Sequence, residues 1–333
     1  MKKHRKKKLI ALTMAMLLLV GISAGCASGN TVDIFPLFTG APTDDENVII
    51  DLALEMVPLT ASPANSVLKT EATGKLTKSN TKATIDYSNT ADGYVMVKFM
   101  NSTTKELRVL VTGPSGTQYQ YTLKKNATYE VYPLSDGNGK YTIGVYEQVE
   151  GSKYSTAVSA SIDVKLTDEF APLLRPNQYV NFTEKSAVVA KAAELVKDKK
   201  TLVDKISAVY EYVIKNLTYD KKLAETVKSG YLPDVDAVMK AGKGICFDYA
   251  AVMTAMLRSQ GIPTKLVVGY ASNVYHAWID VYSDTDGWIG NVIYFDGKDW
   301  KLMDPTFASG GNSSESIMKY IGDGKNYSAK FLY

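Results

Sequence analysis

From residue 76 to residue 166 the chain alternates apolar and polar side chains in short runs. Residues 84–87, 93–99, 107–111, 118–123, 128–132, 140–146 and 160–164 each have period two, and turn signals such as Gly113-Pro-Ser-Gly116 and Asp136-Gly-Asn-Gly139 separate them. Strands of period two bury one face only. Seven of them at regular spacing predict two antiparallel sheets packed face to face, a sandwich of immunoglobulin-like type. Tyrosine outnumbers phenylalanine by 22 to 9, which suits strands that are wet on one side. Nothing in this stretch suggests chemistry, so it reads as a spacer or docking module.

The period changes near Phe170-Ala-Pro172. Residues 183–197 take helical spacing with Thr183 as a cap. Thr201-Leu-Val-Asp204 is a capping box that opens a second helix to about Asn216. Cys246 to Gln260 reads as a third, stopped by Gly261-Ile-Pro263, and strands are expected at 264–270, 274–282, 292–295 and 300–303. The C-terminal half is therefore α+β, with helices first and an antiparallel sheet after them. The boundaries predicted are 1–25 for a leader, 26–75 for a tether and extension, 76–168 for the sandwich and 169–333 for the α+β domain.

Two cysteines and two histidines occur in 333 residues, and one of each, Cys26 and His4, falls at the N-terminal end. Lys2, Lys3, Arg5, Lys6, Lys7 and Lys8 precede an apolar run from Leu9 to Val20, which ends in Ser23-Ala-Gly-Cys26. That order is an export signal, too short to span a bilayer comfortably. The segment resembles a bacterial lipobox, with Ser23 where Leu is commoner; the resemblance implies lipidation of Cys26 and a tether to the outer face of the membrane. The plain alternative is an ordinary cleaved leader with Cys26 incidental. Without the six basic residues of the leader, 32 Lys and Arg face 35 Asp and Glu. No basic footprint for nucleic acid remains.

Cys246, His276 and Asp304 then follow at spacings of 30 and 28 residues. A thiol, an imidazole and a carboxylate are what a nucleophile, its base and the orienter of that base require. Each has a bland reading alone: a buried apolar Cys, a structural His, a turn before Pro305. The expected helix start at Cys246 adds weight, because free N–H groups and the helix dipole favour a thiolate there. A disulfide between Cys26 and Cys246 would join a loose terminus to a helix start and is disfavoured. Asp284-Thr-Asp286-Gly287 is too short for a calcium loop and reads as a hairpin turn. One Cys and one His cannot close a zinc site, so no cofactor is expected.

Gly244-Ile-Cys-Phe-Asp-Tyr-Ala250, Gly261-Ile-Pro263, Val268-Gly-Tyr270, His276-Ala-Trp278 and Trp300-Lys-Leu-Met-Asp-Pro-Thr306 together resemble the transglutaminase-like superfamily, over roughly residues 185–310. Tyr219-Asp220 fits the pattern upstream of the Cys. The resemblance implies a papain-like fold with Cys246 as nucleophile, His276 as general base and acid, and Asp304 as orienter. It also makes Tyr219 an oxyanion-hole candidate, against an even alternative of a core or rim tyrosine. Trp278, Asp248 and Trp300 read as supports of the site. The chain lacks the flanking domains and size of the calcium-dependent animal enzymes. The expected activity is acyl transfer from protein or peptide amides, to water or to an amine, with cell-envelope peptides among the candidate substrates. The alternative is a non-catalytic surface lipoprotein that uses such a domain for binding or scaffolding.

Overall fold

A computed structural model describes residues 31–33, 67–271, 274–284, 287–290, 292–295, 300–302 and 327–333. The leader, Cys26 and Asp304 lie outside the described residues. The first part of the chain is all strand: β1 (Thr31–Asp33), β2 (Thr77–Ser79), β3 (Ala83–Asp86), β4 (Tyr94–Phe99), β5 (Leu107–Thr112), β6 (Gln118–Thr122), β7 (Glu130–Pro133), β8 (Gly139–Glu150) and β9 (Lys153–Val164). They form two antiparallel sheets, ordered β1-β9-β8-β5-β6 and β2-β3-β4-β7. The β5–β6 hairpin belongs to one sheet, β7 crosses to lie beside β4 in the other, and β8 returns beside β5. Alternation does its work here: Ile85, Val95, Val97, Val109, Val111, Ile143 and Val145 from both sheets are all buried in a common interior.

The second part carries α1 (Ala187–Val196), α2 (Leu202–Asn216), β10 (Thr218–Tyr219), α3 (Lys221–Thr226), α4 (Val235–Ala241), β11 (Lys243–Gly244), α5 (Cys246–Arg258), β12 (Thr264–Ala271), β13 (Val274–Ser283), β14 (Gly287–Ile289), β15 (Val292–Phe295), β16 (Trp300–Leu302) and β17 (Tyr327–Leu332). The architecture is α+β. An antiparallel sheet ordered β14-β13-β12-β17 packs against α5, whose residues from Phe247 to Arg258 are all buried. A helix buried all round is the centre of a domain rather than a surface helix.

Three expectations need adjustment. The first helix begins after Ser186, not after Thr183, because Ser186 Oγ accepts the Thr183 N–H (3.1 Å) and Ser186 N–H donates to the Thr183 carbonyl (3.0 Å), closing a turn ahead of the helix. The last sandwich hairpin is longer than its sequence pattern: β8 and β9 each run 12 residues. β17 completes the sheet along β12, and the sequence pattern did not reveal it.

The two parts share one hydrophobic interior. Tyr121 of β6 meets both Tyr132 of β7 and Tyr179 of the connecting segment, and Tyr333 sits against Tyr119, Tyr121 and Tyr179 at ring separations of 5.6, 5.7 and 4.5 Å. Tyr179 in turn lies 5.5 Å from Phe247, in the first turn of α5. Edge-on and tilted aromatic contacts of this kind add to the burial of their area.

Candidate active site

Three of the helices begin with a side-chain cap. Thr201, Asp220 and Asp234 accept the N–H of Asp204, Leu223 and Ala237 at 3.1, 3.0 and 3.0 Å and so satisfy an orphan donor at the start of α2, α3 and α4. α5 differs. Its N-cap residue is Ile245, which has no acceptor, and no side chain caps its first turn from that position. Cys246 is the first residue of this helix, a partly buried free thiol.

The backbone leading to the thiol is fixed from two sides. β10 and β11 form a short parallel bridge that pairs Tyr219 with Gly244, and the Asp220 N–H donates to the Gly244 carbonyl at 2.9 Å. Lys243 and Asp220 form an ion pair at 2.8 Å, and this contact holds the Asp220 carboxyl below its ordinary range. From the other side Asp248, fully buried, accepts the Ile245 N–H on Oδ2 (2.8 Å) and the Tyr231 hydroxyl on Oδ1 (2.7 Å). Gly244 is required there: a Cβ would stand 2.6 Å from Asp248 Cβ and 2.8 Å from its Oδ2. Burial pushes the Asp248 carboxyl up, while the two donors pull it back down.

β13 supplies the imidazole. Ala277, Ile279 and Val281 join the core beneath α5, and Tyr275 packs against it. Burial raises the Tyr275 phenol well above its usual range, with Tyr270 and then the Cys246 thiol adding to the effect, so Tyr275 lies within electrostatic reach of the sulfur. His276, one residue on, is 6% exposed. Its ring is nearly parallel to that of Trp278 at 6.4 Å and lies 6.4 Å from Tyr327, which meets Trp278 edge-on at 5.1 Å. Gly269 lies opposite His276 in register, and a Cβ there would come 2.0 Å from the Ser328 carbonyl and 2.9 Å from the Trp278 ring. The Val268-Gly-Tyr270 motif thus makes room for β17 and for the tryptophan beside the histidine.

The structure places most of the predicted site residues. Tyr219 is brought beside Gly244, two residues before Cys246. His276 is brought to Trp278 and Tyr327. Trp300 begins β16, and Asp304 lies outside the described residues. Tyr231 escaped sequence reasoning: it lies in the α3–α4 connection, and no local pattern links it to Asp248. Among the described residues no group of three or more His, Cys, Asp or Glu is placed to hold a metal ion.

Residues 189–290, a stretch that contains Cys246 and His276, match the transglutaminase-like superfamily. Among curated proteins, the uncharacterized protein YebA of Bacillus subtilis (strain 168) is 27% identical over 117 residues; the match takes in 29% of this chain and 16% of that protein, so the chain spans less than a fifth of this relative. A solved structure described as a candidate cysteine protease, from Cytophaga hutchinsonii, aligns at 14% identity over 72% of this chain and 83% of its own, with a TM-score of 0.37. Red sea bream transglutaminase aligns at 14% identity over 64% of this chain and 48% of its own, with a TM-score of 0.26. The assignment of the core rests on the family match and the local geometry, not on these two structures.

Proposed function

We propose that this protein is a thiol acyl-transfer enzyme acting on protein or peptide amides, with Cys246 as nucleophile, His276 as general base and acid, and Asp304 as the carboxylate that orients the imidazole. The observation that carries the reading is a free thiol at the first position of α5, after an N-cap residue that offers no side-chain acceptor. Orphan donors and the positive end of the helix dipole favour the thiolate over the thiol. In this reading the Cys246 N–H donates to the oxygen of the attacked carbonyl, and Tyr219, across the β10–β11 bridge, is the second oxyanion candidate.

The Sγ–C bond forms as the thiolate adds to the amide carbonyl. The C–N bond then breaks, and the leaving amine takes its proton from the imidazolium of His276. Water or a second amine attacks the thioester, gives its proton back to His276 and expels the thiolate. Hydrolysis and cross-linking thus share every residue and differ in what reaches the acyl-enzyme. The strand order of the first part, in which β7 changes sheet between two hairpins, supports reading it as an immunoglobulin-like sandwich. Export and a lipid on Cys26 complete the proposal and place the enzyme at the outer face of the membrane; both rest on the leader sequence.

The test is mass spectrometry of glutamine-containing casein incubated with the protein, with and without a fluorescent primary amine. Incorporation of the amine marks transfer; new peptide termini or loss of ammonia mark hydrolysis. Cys246→Ala should abolish either product while shifting the thermal midpoint little. Product formation that survives in Cys246→Ala would end the enzyme reading through this thiol.

A further inference from the structure

Asp248 is an expensive residue at its position. A carboxylate with no exposure costs several kcal/mol to desolvate unless donors compensate it. A helix start does not need it: those of α2, α3 and α4 are satisfied by partly or fully exposed side chains that look forward into the helix. Asp248 looks backward. It takes the N–H of Ile245, the amide directly before the thiol residue, and its bulk fills the space that Gly244 leaves by lacking a Cβ. Its second oxygen holds Tyr231, and through it the connection between α3 and α4, against the helix start.

We propose that Asp248 is the positioning residue of the thiol, fixing the 244–246 backbone so that the sulfur and the Cys246 N–H address the same acyl carbon, with Tyr231 as its partner from the α3–α4 connection. The inference rests on the reading of Cys246 as a nucleophile. It adds a cost to that reading, since a carboxylate two residues from the sulfur opposes formation of the thiolate. The charged and titratable groups around Asp248 are Tyr231 from the connection, Asp220 paired with Lys243 from β10 and β11, Asp234 near Tyr231 at the start of α4, and Cys246 on its own helix. The geometry of the clamp and the charge of Asp248 can be separated by substitution.

The experiment is alkylation of the full chain by iodoacetamide across a pH series, with the Cys246 peptide quantified by mass spectrometry, for the natural protein, Asp248→Asn, Asp248→Ala and Tyr231→Phe. Asparagine keeps an oxygen for the Ile245 N–H and removes the charge, so Asp248→Asn should keep the plateau rate within about twofold and lower the pH midpoint by roughly half to one unit. Asp248→Ala should lose about tenfold in plateau rate through loss of the clamp. Tyr231→Phe should lose about threefold, since one of the two donors to the carboxylate is gone. If Asp248→Ala does not fold, the midpoint of Asp248→Asn and the rate of Tyr231→Phe decide. Rates and midpoints unchanged in every folded variant, with only melting temperatures moved, would overturn the inference and leave Asp248 a structural residue. A natural thiol that reacts only on unfolding would overturn the nucleophile reading, and this inference with it. A reactive thiol without amidase or transferase products would instead count against the proposed function alone, because alkylation requires no natural substrate.

Discussion

Two places in this molecule leave backbone groups without partners by construction, the outer edge of β6 and the start of α5, and the chain treats them in opposite ways. β6 is the last strand of its sheet. Its Thr122 N–H donates to Gln178 Oε1 (2.9 Å), the Gln178 amide returns a bond to the Thr122 carbonyl (3.0 Å), and the Tyr179 hydroxyl closes the Gln120 carbonyl (2.7 Å). A glutamine side chain here imitates a neighbouring strand, and the edge is closed against pairing with another chain. At α5 the N-cap residue is an isoleucine, and the only carboxylate of the first turn reaches back to Ile245 rather than covering the donors ahead. The edge of β6 is thus closed by side chains, whereas the first turn of α5 is closed by its own backbone, the Asp248 N–H donating to the Ile245 carbonyl at 2.9 Å, and its carboxylate is turned back toward the residue before the thiol.

The sharpest way to break this comparison is to open the closed edge. Tyr179 is 1% exposed and lies against Tyr121, Tyr333 and Phe247 at once. Tyr179→Ala would remove a large buried ring and the bond to Gln120, at a cost of about 3–5 kcal/mol. Urea unfolding is the measurement. Tyr179→Phe should recover all but about 1 kcal/mol of that loss, since it restores the ring and omits only the hydroxyl. A loss below about 1 kcal/mol in the alanine variant would mean that the two halves do not depend on this seam.

That seam is what the sequence could not disclose. Alternation in residues 84–164 predicts strands because each strand carries its own burial pattern, and β3 to β9 lie where those runs are. Thr201 and the helix start at Cys246 are equally local signals, and both elements begin there. The first seven residues of β9, Lys153–Ser159, are mostly small and polar and gave no clear period; pairing with β8 makes them a strand. The place of Tyr179 between the halves, the bridge from Tyr219 to Gly244 and the bond from Tyr231 to Asp248 are contacts between segments, and a one-dimensional pattern carries none of them. Reading residues 76–168 as a separate spacer was natural for the same reason: the strands announce their own core and are silent about the interior they share with α5.

The reverse change is to close the open start. Ile245 is 7% exposed, and threonine matches its branched shape while offering a hydroxyl that can compete with the Ile245 carbonyl for the Asp248 N–H, now held at 2.9 Å, as Thr201 caps α2. Ile245→Thr should leave stability within about 1 kcal/mol, because the cap gained and the apolar burial lost are of similar size. Iodoacetamide alkylation of Cys246 near neutral pH should slow about fivefold, as the hydroxyl takes up part of the positive end of the helix that favours the thiolate. Thr201→Ala is the control: it should cost about 1 kcal/mol of stability and leave the thiol untouched. An unchanged alkylation rate in Ile245→Thr would mean that the uncapped start does not activate the sulfur.

The smallest effect expected is a pH dependence of stability at the same turn. Burial is the largest influence on the Asp248 carboxyl and raises it above its ordinary range, although Ile245 and Tyr231 donate to it. An acid whose pKa is higher folded than unfolded binds its proton more readily in the native state, so lowering the pH through the folded value adds stability, and raising it withdraws that contribution. Asparagine at 248 has no proton to gain. Urea midpoints of the natural protein and of Asp248→Asn, compared at each pH, should therefore show the natural protein gaining on the variant as pH falls from neutral into the carboxylate range. The gain should keep growing while only the folded carboxyl holds its proton, and become constant once the unfolded carboxyl also takes one up. A constant difference at every pH would mean that the two donors fully offset the burial of the charge, and the clamp behind the thiol would then cost the fold nothing at neutral pH.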